Sequence, residues 1–227
     1  MKKSSCLWLT LTALILIPSL NSYAQLTVGI RGGVNFAVWT EPIVPYIPRK
    51  GANFALLFNK RLSPILSIQI EPGFSQRGAR FDDISDERPI NGILVRSESV
   101  GDVSFNYFEL PVLFQYKPKI GKLEGIISLG PELRFRAGAA KSQYMDKIYE
   151  NGVLARDQSG KRSFTKDLRD FDYGLAGGAG LAYPLHSIKI FTEARYHLGL
   201  RKIYTHEINL YNRGASVHLG ILVPIEK

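Results

Sequence analysis

Phe108-Glu109-Leu110-Pro111-Val112-Leu113-Phe114-Gln115-Tyr116, a short link, and Gly125-Ile126-Ile127-Ser128-Leu129-Gly130-Pro131-Glu132-Leu133-Arg134-Phe135-Arg136 decide how this chain is read. In the first run Phe108, Leu110, Val112, Phe114 and Tyr116 share one face against Glu109 and Gln115. In the second, Ile127, Leu129, Leu133 and Phe135 oppose Ser128, Gly130, Glu132, Arg134 and Arg136. A helical period would scatter these side chains, whereas a strand sorts them into one apolar and one polar face. Only residues 118–123 join the two runs, yet long polar stretches, 78–102 and 137–169, flank them.

Working outward, the same period-two pattern recurs at 26–36, 52–59, 66–77, 172–183, 188–198 and 215–225, bounded by Gly, Pro, Asn and Asp. That makes eight expected strands, each near the 9–11 residues or so that a tilted strand needs to cross a bilayer. Connections alternate in length. Residues 37–51, 78–102, 137–169 and 199–214 are long and polar, while 60–64, 118–123 and 184–187 are tight. Outer-membrane barrels segregate loops in this way, short on the periplasmic side and long outside. The expected fold is therefore all-β: an eight-stranded antiparallel up-and-down transmembrane β-barrel with short periplasmic turns, long outer loops and both termini periplasmic.

Alternation alone also fits a soluble, lipocalin-like barrel that binds a small apolar ligand. Three features direct the apolar face to lipid. The polar face mixes small residues with Arg and Glu of opposite sign, as a crowded lumen requires. Lys189 apart, lysine avoids that face and sits in turns and loops, at Lys60, Lys117, Lys119, Lys122 and Lys202. Aromatics gather at strand ends, with Phe58, Tyr116 and Tyr183 beside short turns and Phe36, Trp39, Phe135, Tyr173, Tyr196 and Tyr204 toward long loops. Amphipathic rings favour that interfacial level. Hydrocarbon excludes an open sheet edge, so the sheet must close. Pro72, Pro111 and Pro131 fall inside strands and remove donors, which predicts bulges or a place near the membrane boundary.

The N-terminal reading agrees with export. Met1-Lys2-Lys3, an apolar run from Cys6 to Leu20 interrupted by Pro18, and Ser22-Tyr23-Ala24 before Gln25 have the layout of a secretory leader. Residues 1–24 are read as a signal peptide and 25–227 as one outer-membrane barrel domain. The only cysteine, Cys6, leaves with the leader, so no disulfide is available to the mature chain. The net charge of +9 suits an anionic lipid surface; export, and basic residues that form no aromatic-interleaved stripe, exclude nucleic acid as partner.

Tyr107 to Tyr116, Gly130-Pro131-Glu132-Leu133, Asp170-Phe171-Asp172-Tyr173-Gly174-Leu175-Ala176-Gly177-Gly178-Ala179-Gly180 and Arg195-Tyr196-His197-Leu198-Gly199-Leu200 together resemble the PorT-type outer-membrane β-barrel family of Bacteroidetes. The resemblance runs from Val28-Gly29-Ile30-Arg31-Gly32-Gly33-Val34-Asn35 to the last strand and carries no catalytic motif. It implies a porin-like outer-membrane protein, in some members tied to secretion or gliding machinery. One departure is the close, Pro224-Ile225-Glu226-Lys227, where many outer-membrane barrels carry an aromatic.

The most specific chemistry is ionic. Glu71, Glu109, Glu132 and Glu193 are expected to pair with Arg31, Arg77, Arg134, Arg136 and Arg195 inside a barrel about wide enough for side chains to fill. A structural plug is the expectation, with an ion path through rearranging pairs as the sharper alternative. Asp82, Asp83, Asp86 and Glu87 read as solvated loop charge, lacking the glycine-centred pattern of a calcium loop. His186, His197, His206 and His218 are not at metal-ligand spacing. No metal, cofactor or catalytic residue is assigned, and the chain is read as a non-enzyme. A rim enzyme would have to use His206 with Glu207, or His197 with Glu193 and Ser163. Gly177, Gly178 and Gly180 are read as close backbone approach or space for large lumen neighbours. Expected partners are outer-membrane lipid and a protein met through the long loops or turns.

Overall fold

Alternating β-branched and aromatic residues with no helical period give strands throughout. The computed structural model describes residues 26–40, 46–166, 168–205 and 209–225, with backbone alone at 83 and 84. The expected leader, 1–24, lies outside the described residues. Twelve strands follow in chain order: β1 (Leu26–Thr40), β2 (Arg49–Arg61), β3 (Leu66–Ile70), β4 (Gly73–Ile90), β5 (Ile93–Tyr116) and β6 (Lys119–Ile120) come first. Then come β7 (Leu123–Arg136), β8 (Ala140–Glu150), β9 (Val153–Phe164), β10 (Phe171–Leu185), β11 (Ile188–Lys202) and β12 (Tyr211–Pro224).

All ladders are antiparallel. β1 pairs with β2, β2 with β3 and β4, these with β5, β5 with β7, and β7 with β10. β10 then pairs with β11, β11 with β12, and β12 returns to β1 through Thr27↔Pro224 to Thr40↔Tyr211. The ladders thus form a ring. β3 and β4 act as one stave, because Phe58↔Ile70 and Asn53↔Ser75 keep one register across the break.

The strands exceed the expectation. The stretches 78–102 and 137–169 were expected as polar loops; instead β4 and β5 run on to a shared turn, and β8–β9 forms a second hairpin paired to the upper part of β5. Away from the ring both sheet faces meet solvent, so no apolar face marks these residues as strand. The turns themselves are explicit: Asn91 (φ 50°) with Gly92 (φ 81°), and Asn151 (φ 48°) with Gly152 (φ 83°). Positive φ at both central residues is what a twist-matched two-residue hairpin requires. Gly152 has open space where a side chain would go, so Gly152→Val meets only backbone strain. It is expected to cost about 1–2 kcal/mol locally, read as faster amide exchange confined to β8–β9.

Of the two expectations for the prolines, the bulge is not what forms. Neither Pro111 nor Pro131 shifts the register, although the β5–β7 pairing lapses between Pro111↔Glu132 and Phe114↔Leu129, where Pro131 would face Val112; Leu175↔Pro131 on the other side lies on a continuous ladder. Pro72 ends β3 instead, and its carbonyl accepts from Leu56 N at 3.0 Å while Glu71 N donates to Pro111 O at 3.0 Å. The register shifts fall at Phe81/Ile84, Ile148/Tyr149 and Leu198/Lys202, around the long-hairpin end. Orientation follows the pattern: Ile30, Phe54, Phe108, Phe114, Leu129 and Leu219 are about 60% exposed on the outside, whereas Arg31, Arg77, Arg134 and Arg195 are buried inside.

Candidate functional site: the ring interior

Alternate residues of the ring strands meet along its axis, and the middle layer is ionic. Glu71, in the link between β3 and β4, accepts from Arg31 Nε at 2.7 Å, Arg195 Nη1 at 2.6 Å and Arg195 Nη2 at 2.7 Å. Gln69 Nε2 donates to it as well, at 2.6 Å. Arg195 also reaches Glu193 at 2.6 Å, and Glu193 accepts from Ser128 Oγ at 2.5 Å. Toward the long hairpins, Arg77 bridges Glu109 at 2.5 Å and Glu132 at 2.9 Å. Arg134 bridges Glu132 at 2.8 Å and Asp172 at 2.7 Å, and Asn212 links Asp172 at 2.9 Å to Tyr107 at 3.2 Å. Toward the short turns, Asn59 donates to Gln69 and Gln115, each at 2.8 Å.

Apolar layers bound this belt on both sides. Trp39, Val103, Phe105, Leu168, Ile203 and Leu210 pack together at the long-hairpin end, with Ala79, Ala140 and Tyr107. Leu57, Ile126, Ala182, Phe191 and Leu222 pack toward the short turns. Charge is nearly matched: buried Arg31, Arg77, Arg134, Arg195 and Lys117 stand with buried Glu71, Glu109, Glu132, Glu193 and Asp172. Lys117 lies in the turn after β5, where burial pushes its ammonium down to about 8 and Glu124 pulls the other way.

Four of the five expected arginines and all four expected glutamates meet here. Arg136 does not; opposite Tyr107 at the edge of the apolar cap, it pairs with Asp170 and donates to Gly138 O at 2.6 Å. Sequence reasoning left Asp172, Ser128, Asn212, Tyr107 and His218 out of the ion set, although alternation already put Asp172 and Ser128 on the polar face. Gly178 and Gly180 make room as expected: a Cβ would lie 2.6 Å from Arg195 Cγ and 3.0 Å from Glu193 Cβ respectively. Trp39 is corrected from interfacial ring to buried cap, because β1 turns that residue inward.

The histidine alternatives resolve differently. His197 contacts Glu132 through Nδ1 at 2.9 Å and Ser216 Oγ through Nε2 at 2.8 Å. Glu193 and exposed Ser163 are not its partners. The Ser216–His197–Glu132 order matches a nucleophile, base and orienting acid, yet all three are at most 3% exposed and Arg77 shares Glu132. His206 and Glu207 lie outside the described residues, as does the side chain of Asp83. His218 is buried in the belt, and His186 takes a left-handed turn position (φ 53°). Asp82 pairs with Arg80 at 2.8 Å and Asp86 with Arg88 at 3.3 Å, so these acids are solvated strand charges.

A polar interior inside an apolar exterior inverts a soluble protein. Residues 21–205 match the family model described as outer membrane protein beta-barrel domain. The chain belongs to this family. As an outer-membrane β-barrel it turns the apolar face to lipid, and its ladders satisfy the backbone inside hydrocarbon. No curated protein matches its sequence. Among solved structures it is similar to the attachment invasion locus protein Ail of Yersinia pestis, at 16% identity and TM-score 0.41, covering 90% of this chain and 100% of that one. Neisserial surface protein A matches at 14% and 0.40, covering 87% and 96%. A major outer membrane protein from Thermus thermophilus matches at 13% and 0.41, covering 90% and 100%.

Proposed function

We propose that the chain is a PorT-like integral outer-membrane barrel of eight staves that acts as a non-conducting scaffold, with an interaction or secretion-associated role and no enzymatic activity. The carrying observation is the ionic belt closed between two apolar layers. Ions moving through would have to break desolvated pairs and then cross packed hydrocarbon, each costing several kcal/mol as an order of magnitude. Residues 1–24 serve as leader, both termini and the short turns face the periplasm, and the β4–β5 and β8–β9 hairpins stand outside to meet a partner. A soluble lipocalin-like role has no support: the interior is filled by charged side chains, and the apolar face is outward.

Planar-bilayer recording of the refolded chain is the test. No stable conductance is expected; a reproducible solute-sized step would overturn the scaffold reading.

A further inference from the structure

Where the β8–β9 hairpin meets the ring, a cleft of about 600 Å³ opens between Ser142, Tyr144, Asp146, Gln158, Arg162, Phe164, Lys166 and Tyr204. Its hairpin wall follows from register. Ser142↔Arg162, Tyr144↔Gly160 and Asp146↔Gln158 are directly opposed pairs, so all six positions share one sheet face. Gly160 leaves room there: a Cβ would sit 2.7 Å from the Tyr144 hydroxyl and 2.8 Å from its ring, so a side chain at 160 would push the ring off the neighbouring strand. Phe164 and Tyr204 pack against the apolar cap, and Tyr204 is further held by its bridge to Leu168 and by Arg169 Nε donating to its carbonyl at 3.2 Å. Two of the three rings are therefore fixed by packing, independent of any ligand, and the third lies over Gly160.

The charges complete the pattern. Around the hairpins four other arginines have an acid: Arg49 with Asp102, Arg80 with Asp82, Arg88 with Asp86 and Arg96 with Glu98. Among the described residues, Arg162 and Lys166 in the cleft have none. Asp146, Gln158 and Ser142 add acceptors and donors for neutral hydroxyls. We propose that this cleft binds an acidic saccharide, a sugar ring bearing a carboxylate or similar anion. Ring faces suit the C–H faces of a pyranose, the two cations take the anion, and Asp146 accepts from hydroxyls. An acidic peptide has no hydroxyl array to donate to Asp146 and no pyranose face for the rings, and a neutral sugar would leave both cations idle.

This rests on the scaffold reading, which places the hairpin outside the cell. The full chain refolded in lauryldimethylamine oxide micelles is titrated calorimetrically with trigalacturonate, maltotriose and hexaglutamate. Saturable binding of trigalacturonate is expected, at least tenfold tighter than maltotriose or hexaglutamate. Arg162→Gln with Lys166→Gln, and separately Tyr144→Ala, should each weaken it at least tenfold while the heat-dependent gel shift that marks the folded barrel persists. Absence of saturable binding, or hexaglutamate binding equally well and indifferent to Tyr144→Ala, overturns the site alone. Placement is read separately: Ser163→Cys, on the other face of β9, should react with a membrane-impermeant maleimide on intact cells. If it is silent there but reacts after lysis, the outside placement fails and the proposal with it.

Discussion

Glu71→Ala is expected to lower the unfolding free energy of the refolded barrel by about 3–5 kcal/mol, the largest loss of any single interior truncation. Glu71 is fully buried and accepts four hydrogen bonds, three of them from Arg31 and Arg195. Truncation leaves two guanidiniums facing each other in the centre of the barrel, each still flanked by an apolar layer that denies it water. The penalty is that of uncompensated buried charge, which exceeds the net worth of the pair itself. Glu71→Gln keeps the shape and part of the hydrogen bonding, and should fall between wild type and Glu71→Ala. Replacing Arg31, Glu71, Glu193 and Arg195 together by Met, Leu, Gln and Met should recover most of the loss, because the two arginines leave with both of their carboxylates. Urea titration in lipid vesicles can follow Trp39 in the cap, the only tryptophan besides Trp8 of the expected leader. A loss under about 1 kcal/mol would put the belt in contact with water, in the range of exposed pairs.

What the sequence revealed and what it hid divides along the membrane. Where one face meets lipid and the other the interior, two solvents of opposite polarity act on alternate residues. Phe108 to Tyr116 and Gly125 to Arg136 consequently declared both their strand character and their facing. Beyond the ring that contrast vanishes: β9, with Arg156, Asp157, Lys161 and Arg162 exposed, has no apolar side to report its period. The readable signal there was chemical, Asn91-Gly92 and Asn151-Gly152, and it marks the hairpin turns directly. The ionic belt was legible as a set because opposite charges recur on inward positions. Its partner assignment was not. Arg136 belongs to the same alternation as Arg134 but sits one step further along β7, level with Tyr107 of the cap, and pairs with exposed Asp170. Height along the ring, fixed by stagger between strands, decides such cases, and single-strand patterns do not contain it. The same holds for His197, whose contacts come from β7 and β12, distant in sequence.

Leu129→Arg separates a lipid-facing exterior from a water-facing one. Leu129 sits halfway along β7, paired with Phe114 on one side and Gly177 on the other, and is 61% exposed. On a protein surrounded by water, such a substitution lies within about 0.5 kcal/mol of neutral, since the side chain loses little burial and gains hydration. In an outer-membrane barrel the same arginine meets hydrocarbon near the bilayer midplane, and the expected cost is about 2–4 kcal/mol. Ile120→Arg, in the short turn after β5, is the matched control: its side chain is 54% exposed, yet at the end of the barrel the cost should fall to about 0–1 kcal/mol. The contrast between two similarly exposed aliphatic positions cannot come from packing, because neither is packed. It can come only from a solvent that changes along the strand, and a flat response at both positions would remove the membrane from the account of this fold.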